Sequence, residues 1–175
     1  MRKVKIFSVF MSIILLCSTL LPSVSVSAAF TPKFALHSEG VYMVNLDTDI
    51  VIVSKNADKK LTPASTTKIM TALVALENIK DFNAKVVVNS TATDEFWSGN
   101  PNYEGPSTAD IRSGQENVTY WDCLYALMVC SACEAGNILA VNIAGSIPDF
   151  VAMMNAKAAE IGCTGTHFAN THGLY

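Results

Sequence analysis

The apolar positions of this chain change period along its length. Val41, Tyr42, Met43 and Val44 form one short apolar run and Ile50 to Val53 another, with Asp47-Thr48-Asp49 between them. This predicts a hairpin of strands Gly40–Leu46 and Ile50–Val53, and nearly continuous apolar runs predict burial on both faces. Lys55 to Lys60 reads as a polar loop. Ile69, Met70, Leu73, Val74 and Leu76 then recur at helical spacing. Thr62 suits an N-cap and Pro63 the first helical position, so the helix is expected to begin there and run to about Lys80. Val86-Val87-Val88 predicts a short strand or extended segment. Thr91–Pro106 reads as a long polar loop with Phe96, Trp97 and Tyr103 facing outward, of the length that often rims a site.

The second half reads as helices separated by recognisable stops. Ser113-Gly114 predicts a turn. Thr119 and Asp122 form a capping box with Asp in place of Glu, opening a helix that carries Leu124, Leu127 and Met128. A break is expected near Cys130–Cys133, with helix again over Ile138–Ala144 until Gly145 ends it. Ser146 and Asp149 cap a further helix through Ile161, stopped by Gly162, and Thr164–Tyr175 reads as loop. There is no internal repeat.

The first residues read as something other than fold. Arg2, Lys3 and Lys5 precede an apolar run from Ile6 to Leu21, and Val26-Ser27-Ala28 fits a small-residue cleavage site. Residues 1–28 are therefore expected to be a secretory signal, leaving one domain over 29–175. Without its three basic residues the chain keeps 9 Lys and Arg against 15 acids, a net charge of −6. That balance gives no reason to expect a nucleic-acid partner. Four cysteines remain: Cys123, Cys130, Cys133 and Cys163. Cys130-Ser131-Ala132-Cys133 has redox-motif spacing but lies inside an apolar helical pattern, so buried, unpaired thiols are expected and no metal site.

The chemistry centres on Pro63-Ala64-Ser65-Thr66-Thr67-Lys68. A serine hydroxyl is a poor nucleophile until a neighbouring base takes its proton. Lys68, three residues after Ser65, shares its helical face, and a helix N-terminus offers free N–H groups to a developing oxyanion. Ser-x-x-Lys at a helix start is thus a compact nucleophile–base pair. Ser131, at the expected helix break, offers a second hydroxyl for proton traffic. His167 and His172 read as structural loop histidines whose spacing makes no metal pair, and His37 is remote in sequence.

In order along the chain stand Pro63–Lys68, Ser131-Ala132-Cys133, Ile143-Ala144-Gly145-Ser146, Met154-Asn155-Ala156-Lys157-Ala158 and Asn170-Thr171-His172-Gly173-Leu174. This ordered set, spanning roughly Ser38 to Leu174, resembles the D-alanyl-D-alanine carboxypeptidases, which are low-molecular-weight penicillin-binding proteins. The resemblance implies an α+β, penicillin-binding/β-lactamase-like fold: an antiparallel sheet flanked by helices, with a mostly helical part beside it. It implies Ser65 as acyl-enzyme nucleophile, Lys68 as its proton acceptor, Ser131 as second-motif serine and a peripheral place for His172. It implies the D-Ala-D-Ala end of a peptidoglycan stem peptide as substrate, acylation by β-lactams, export to the cell envelope, and no cofactor.

Two departures stand out. Cys133 occupies the place of the usual Asn in the second motif, and a thiol is a weaker donor and acceptor than an amide. The third motif, Lys-Thr-Gly on a later strand, does not occur before Tyr175, so a partial fold without its C-terminal strands is expected, and with it an impaired enzyme or an inactive fragment. Membrane association would depend on a C-terminal region that also lies beyond this sequence. A β-lactamase of the same superfamily would need a deacylating carboxylate in a loop; Glu134, Asp149 and Glu160 instead fall in helical patterns. The export signal predicts a mature N-terminus at Ala29. Intact mass of the secreted protein tests this, and a mature chain still beginning at Met1 refutes it.

Overall fold

The computed structural model describes residues 32–97 and 105–174. The expected export signal and Tyr103 lie outside the described residues. The chain divides into two compact units, Met1–Lys59 and Lys60–Tyr175.

In the first unit, β1 (Val41–Asn45) pairs antiparallel with β2 (Ile50–Lys55), with a register shift between Met43 and Val44. Asn45 builds the turn: its Oδ1 accepts from the N–H groups of Asp47 and Thr48 at 2.9 and 3.0 Å. Asp49 takes a left-handed φ of 54°, a conformation that Asp tolerates better than most residues. The expected burial of this hairpin on both faces does not hold. Tyr42, Met43, Leu46 and Ile50 are all more than half exposed, and Val53 alone on the two strands is buried. A sheet of two strands has too few neighbours of its own to cover two faces.

The second unit is helical. A 3-10 turn, Ala64–Thr66, leads into α1 (Thr67–Asn78). The others are α2 (Ser90–Trp97), α3 (Tyr120–Val129), α4 (Cys133–Ala144) and α5 (Ile147–Glu160). Pro63 is not the first residue of an α-helix: it precedes the 3-10 turn, and Ala64 follows it at φ 49°. The helix therefore begins four residues later than Pro63 suggested, and Thr62 does not cap it.

The segment Thr91–Pro106 was expected to be loop, yet its first part is α2. Asn89 caps this helix, its Oδ1 accepting from the Ala92 N–H at 3.1 Å. Ala92, Thr93 and Phe96 form its buried face; Phe96 does not face outward. Three buried positions, one of them Thr, are too weak an apolar pattern to stand out in the sequence. Val86 and Val88 are buried and Val87 exposed, the alternation of an extended segment. Among the described residues its ladder pairing is a single bridge from Lys85 to Thr119, and Asn142 accepts from and donates to the Val87 main chain.

Helix starts and stops follow their caps. Thr119 and Asp122 make the full reciprocal capping box at α3, Gly145 ends α4 at φ 83°, and the Ser146 side chain caps α5 through the Asp149 N–H. Helix α4 is the centre of the unit: every residue from Cys133 to Ala140 is buried, and α1, α2, α3 and α5 all pack on it. A helix apolar nearly all round belongs in such a position. Among the described residues no single helix is long and apolar enough to cross a membrane.

The ranking of these contributions is testable. Ile138→Ala, at a fully buried position of α4, should cost about 2–5 kcal/mol of unfolding free energy. Thr119→Ala, which removes one cap, should cost about 1 kcal/mol. Urea unfolding of both variants checks the order, and an equal loss would deny α4 its central place.

Candidate active site

Ser65 and Lys68 meet because a 3-10 turn runs into an α-helix between them. Lys68 Nζ donates to Ser65 Oγ at 3.1 Å. Ser65 is exposed, while Lys68 is 2% exposed, so the hydroxyl faces solvent and the amine supports it from within. The second acceptor for Lys68 Nζ is the main-chain carbonyl of His172, at 3.0 Å. No carboxylate pairs with Lys68 among the described residues.

That carbonyl belongs to a turn shaped by Asn170. Its Oδ1 accepts from the N–H groups of His172 and Gly173 at 3.1 and 2.6 Å, and its Nδ2 donates to the Leu174 carbonyl at 2.7 Å. Gly173 takes φ 83°, and a Cβ there would lie 1.9 Å from the Ala64 carbonyl oxygen. Conformation and space both demand glycine, and the close approach seats the turn directly beneath the residue before Ser65. Side chains from three helices hold the turn. Thr71 of α1 donates to the Thr171 carbonyl at 2.7 Å, Thr171 Oγ1 donates to Asn137 Oδ1 of α4 at 2.7 Å, and Asn155 of α5 pairs with both main-chain groups of Phe168. Gly136 leaves room for Thr171, whose Oγ1 would stand 2.9 Å from any Cβ at that position.

His172 is a loop histidine that is buried, at 2% exposure, as a member of this assembly. The Leu174 N–H donates to its Nδ1 at 3.2 Å, so the neutral ring carries its proton on Nε2. Phe96 meets it edge-on with ring centroids 5.2 Å apart. Burial first, and the Lys68 charge second, push its pKa down to about 4. His167 is exposed.

The second motif lies in the break between α3 and α4. Ser131 takes φ 55°, an uncommon conformation for a residue with a side chain. The Cys133 N–H opens α4 by donating to the Ser107 carbonyl at 2.8 Å. Burial raises the Cys133 thiol, and the adjacent Lys68 ammonium partly offsets this. Lys68 thus touches Ser65, the His172 carbonyl and the Cys133 side chain, while Ser131 sits two residues before Cys133. The cysteines are unpaired as expected. Burial was expected for all four, but Cys130 and Cys163 are exposed, at the ends of α3 and α5, while Cys123 and Cys133 are buried. Burial and nearby carboxylates drive Cys123 up to about 12.

The acids have structural partners. Glu134 Oε1 accepts from the N–H groups of Ala109 and Ile111 at 2.7 and 3.3 Å, and burial raises its pKa. The Asp149 carboxylate accepts from the Ser146 hydroxyl in the first turn of α5, and Glu160 pairs with Lys157. Sequence reasoning did not single out Thr71, Glu95 or Asn137, and it named Glu134 only as an acid in a helical pattern. Asn137 carried a signal, since a lone amide in an otherwise apolar helix needs a buried partner.

With this geometry in view, the relatives are informative. The family model for D-alanyl-D-alanine carboxypeptidase matches residues 25–175. D-alanyl-D-alanine carboxypeptidase DacC of Escherichia coli is 36% identical over 125 residues, 71% of this chain and 31% of that one. The solved Streptomyces K15 DD-transpeptidase superposes with a TM-score of 0.72 at 31% identity, covering 82% of this chain and 55% of that one. Penicillin binding protein 5 of Haemophilus influenzae gives 0.73 at 25% identity, covering 83% and 41%. The chain thus spans about a third to a half of the length of the relatives it matches, and its mix of helices with a small antiparallel sheet is that of their fold.

The low pKa of His172 has a thermodynamic consequence. The unfolded ring binds a proton near pH 6.5 and the folded ring near 4, so the unfolded state holds more protons between these values and stability rises with pH there. The contribution is complete above pH 6.5 and is lost as pH falls to 4, amounting to about 3 kcal/mol. Urea unfolding of the parent between pH 7 and 4 should therefore be steeper in pH than that of His172→Gln; parallel curves would show that this ring does not titrate there. The match across residues 25–175, together with the fold, places the chain in the D-alanyl-D-alanine carboxypeptidase family.

Proposed function

We propose that this protein is a serine-type D-Ala-D-Ala carboxypeptidase acting on peptidoglycan stem peptides, exported to the cell envelope by residues 1–28. The observation that carries the reading is Lys68 Nζ, buried and 3.1 Å from an exposed Ser65 Oγ. Ser65 Oγ attacks the carbonyl carbon of the penultimate D-Ala while the Lys68 amine accepts the hydroxyl proton. The Ser65 N–H, at the start of the 3-10 turn, is one donor for the oxyanion that forms. The C–N bond then breaks as Ser131 passes its proton to the departing D-Ala amine and regains one from Lys68. Water hydrolyses the ester on Ser65: Lys68 takes a proton from the water and returns it to Ser65 Oγ as the C–O bond breaks. Cys133 lines the substrate side beside Lys68. His172, through its main-chain carbonyl, restrains the amine without contacting substrate. A β-lactam would acylate the same hydroxyl, opening its ring in place of the peptide bond.

Treatment with a fluorescent penicillin, followed by peptide mapping, should place the adduct on Ser65. Ser65→Ala should abolish labelling, and Lys68→Ala should slow it by roughly a hundred- to ten-thousand-fold, the range of a lost general base. Undiminished labelling of Ser65→Ala would sink the assignment. Release of D-Ala from a D-Ala-D-Ala peptide measures the full reaction.

A further inference from the structure

Beneath Ser65 and Lys68 the hydrogen bonds run in one direction, and they converge on Glu95. This residue lies on α2, outside the motifs that mark the family. Asn137 Nδ2 of α4 donates to Glu95 Oε1, and His172 Nε2 stands 3.9 Å from the same oxygen. An ionised carboxylate accepts only. Asn137 must therefore turn its NH2 toward Glu95 and its Oδ1 away, and that Oδ1 accepts from Thr171 Oγ1 at 2.7 Å. The Thr171 carbonyl in turn accepts from Thr71 at 2.7 Å. The same polarity governs His172. The Leu174 N–H occupies Nδ1, which leaves the ring proton on Nε2, the nitrogen that faces Glu95. Phe96, the next residue on α2, closes the other side of the ring. Both neighbours of Glu95 thus present donors to it, and both belong to the structure that carries the His172 carbonyl. That carbonyl is the second acceptor of Lys68, 3.0 Å from Nζ.

We propose that Glu95 is a positioning residue for the Ser65–Lys68 pair: as an acceptor-only group bridging α2 to α4 and to His172, it sets the direction of the buried hydrogen bonds that hold the His172 carbonyl against Lys68. The proposal rests on the acylation chemistry assigned above. It also fits the exposure of the residues. The Glu95 side chain is 32% exposed, while the His172 side chain is 2% exposed and cannot exchange its partners for water.

The test uses the full-length protein with Glu95→Ala, Glu95→Gln and Asn137→Asp. For each, the reversible binding constant and the acylation rate constant for a fluorescent penicillin are separated, thermal melting is recorded, and imidazole ¹⁵N shifts report the His172 tautomer. Glu95→Ala should lower the acylation rate constant by roughly ten- to a hundred-fold with binding little changed, as expected of a misplaced base. Its Asn170–Leu174 turn should loosen and free Nδ1 from the Leu174 N–H, so that His172 loses the pure Nε2–H pattern seen in the parent. Glu95→Gln can keep an acceptor toward Asn137 and should stay within about threefold of the parent. Asn137→Asp sets two acceptors against each other and should reproduce the slow acylation, which keeps the idea exposed should Glu95→Ala not fold. Parent-like acylation and tautomer in Glu95→Ala overturn the proposal, as does equal impairment of Glu95→Ala and Glu95→Gln. If the parent itself is not acylated, the functional reading falls, and the His172 spectra decide the role of Glu95 alone: an unchanged tautomer in Glu95→Ala refutes it.

Discussion

Lys68 imposes the main constraint on the helical unit. An amine buried to 2% exposure must have acceptors, because an unsatisfied polar group in a protein interior costs about 1–3 kcal/mol and more if charged. One acceptor, the Ser65 hydroxyl, lies three residues away and comes with the local helix. The other, the His172 carbonyl, lies 104 residues further on and has to be brought in by the fold. Bringing it in explains the glycine at 173, whose Cβ-free approach to the Ala64 carbonyl lets the turn come close enough. It also explains the Asn170 turn, the Thr71 and Asn155 bonds, and the small residue at 136. These features serve a single contact, and each would be a defect without the others.

The positions of these helices were legible where the determinants are local. The Thr119–Asp122 box, Gly145 and Ser146 each specify a boundary within three or four residues of themselves, and the structure places the boundaries there. The Ser65–Lys68 spacing was legible for the same reason. The start of α1 was not, because Pro63 is compatible with either an α-helix or a tight 3-10 turn. The turn forms with Ala64 at φ 49°, a strained value for a residue with a Cβ, costing about 1–3 kcal/mol. The position of Gly173 against Ala64 supplies a tertiary reason that no local pattern contains. Helix α2 was hidden because its burial rests on Ala92, Thr93 and Phe96, while its outward face carries Thr91 and Asp94. The hairpin's exposure was hidden because residue pattern shows which faces are apolar, not whether anything covers them.

The buried hydrogen-bonded chain Thr71–Thr171–Asn137–Glu95 was invisible for a different reason. Its members are far apart in sequence and individually ordinary. Buried polar chains are costly when half satisfied and rigidifying when complete. Here the chain is complete from the Thr71 hydroxyl to the Glu95 carboxylate, with each donor matched to one acceptor. An apolar replacement of the same shape would pack equally well but would leave the Asn170–Leu174 turn free to slide. The likeness to solved relatives at 25–31% identity shows that the surrounding helices keep their arrangement while most side chains change.

Cys133 illustrates how such a site can accept a chemically weaker residue. The main chain at this position is held independently of the side chain: its N–H donates to the Ser107 carbonyl at 2.8 Å, and the next residue, Glu134, grips the Ala109 and Ile111 N–H groups. The opening of α4 and the placement of Ser131 before it are therefore fixed by backbone and by Glu134, not by what stands at 133. What the thiol changes is electrostatic. Burial keeps it above its ordinary pKa despite the Lys68 ammonium, so at neutral pH it stays uncharged beside that amine. An uncharged side chain leaves Lys68 with Ser65 and the His172 carbonyl as its strong acceptors, whereas a thiolate would compete with Ser65 for the same amine. Under the proposed mechanism, a thiol where the resemblance implies an amide gives up donor and acceptor strength toward a ligand while the Ser65–Lys68 contact stays in place.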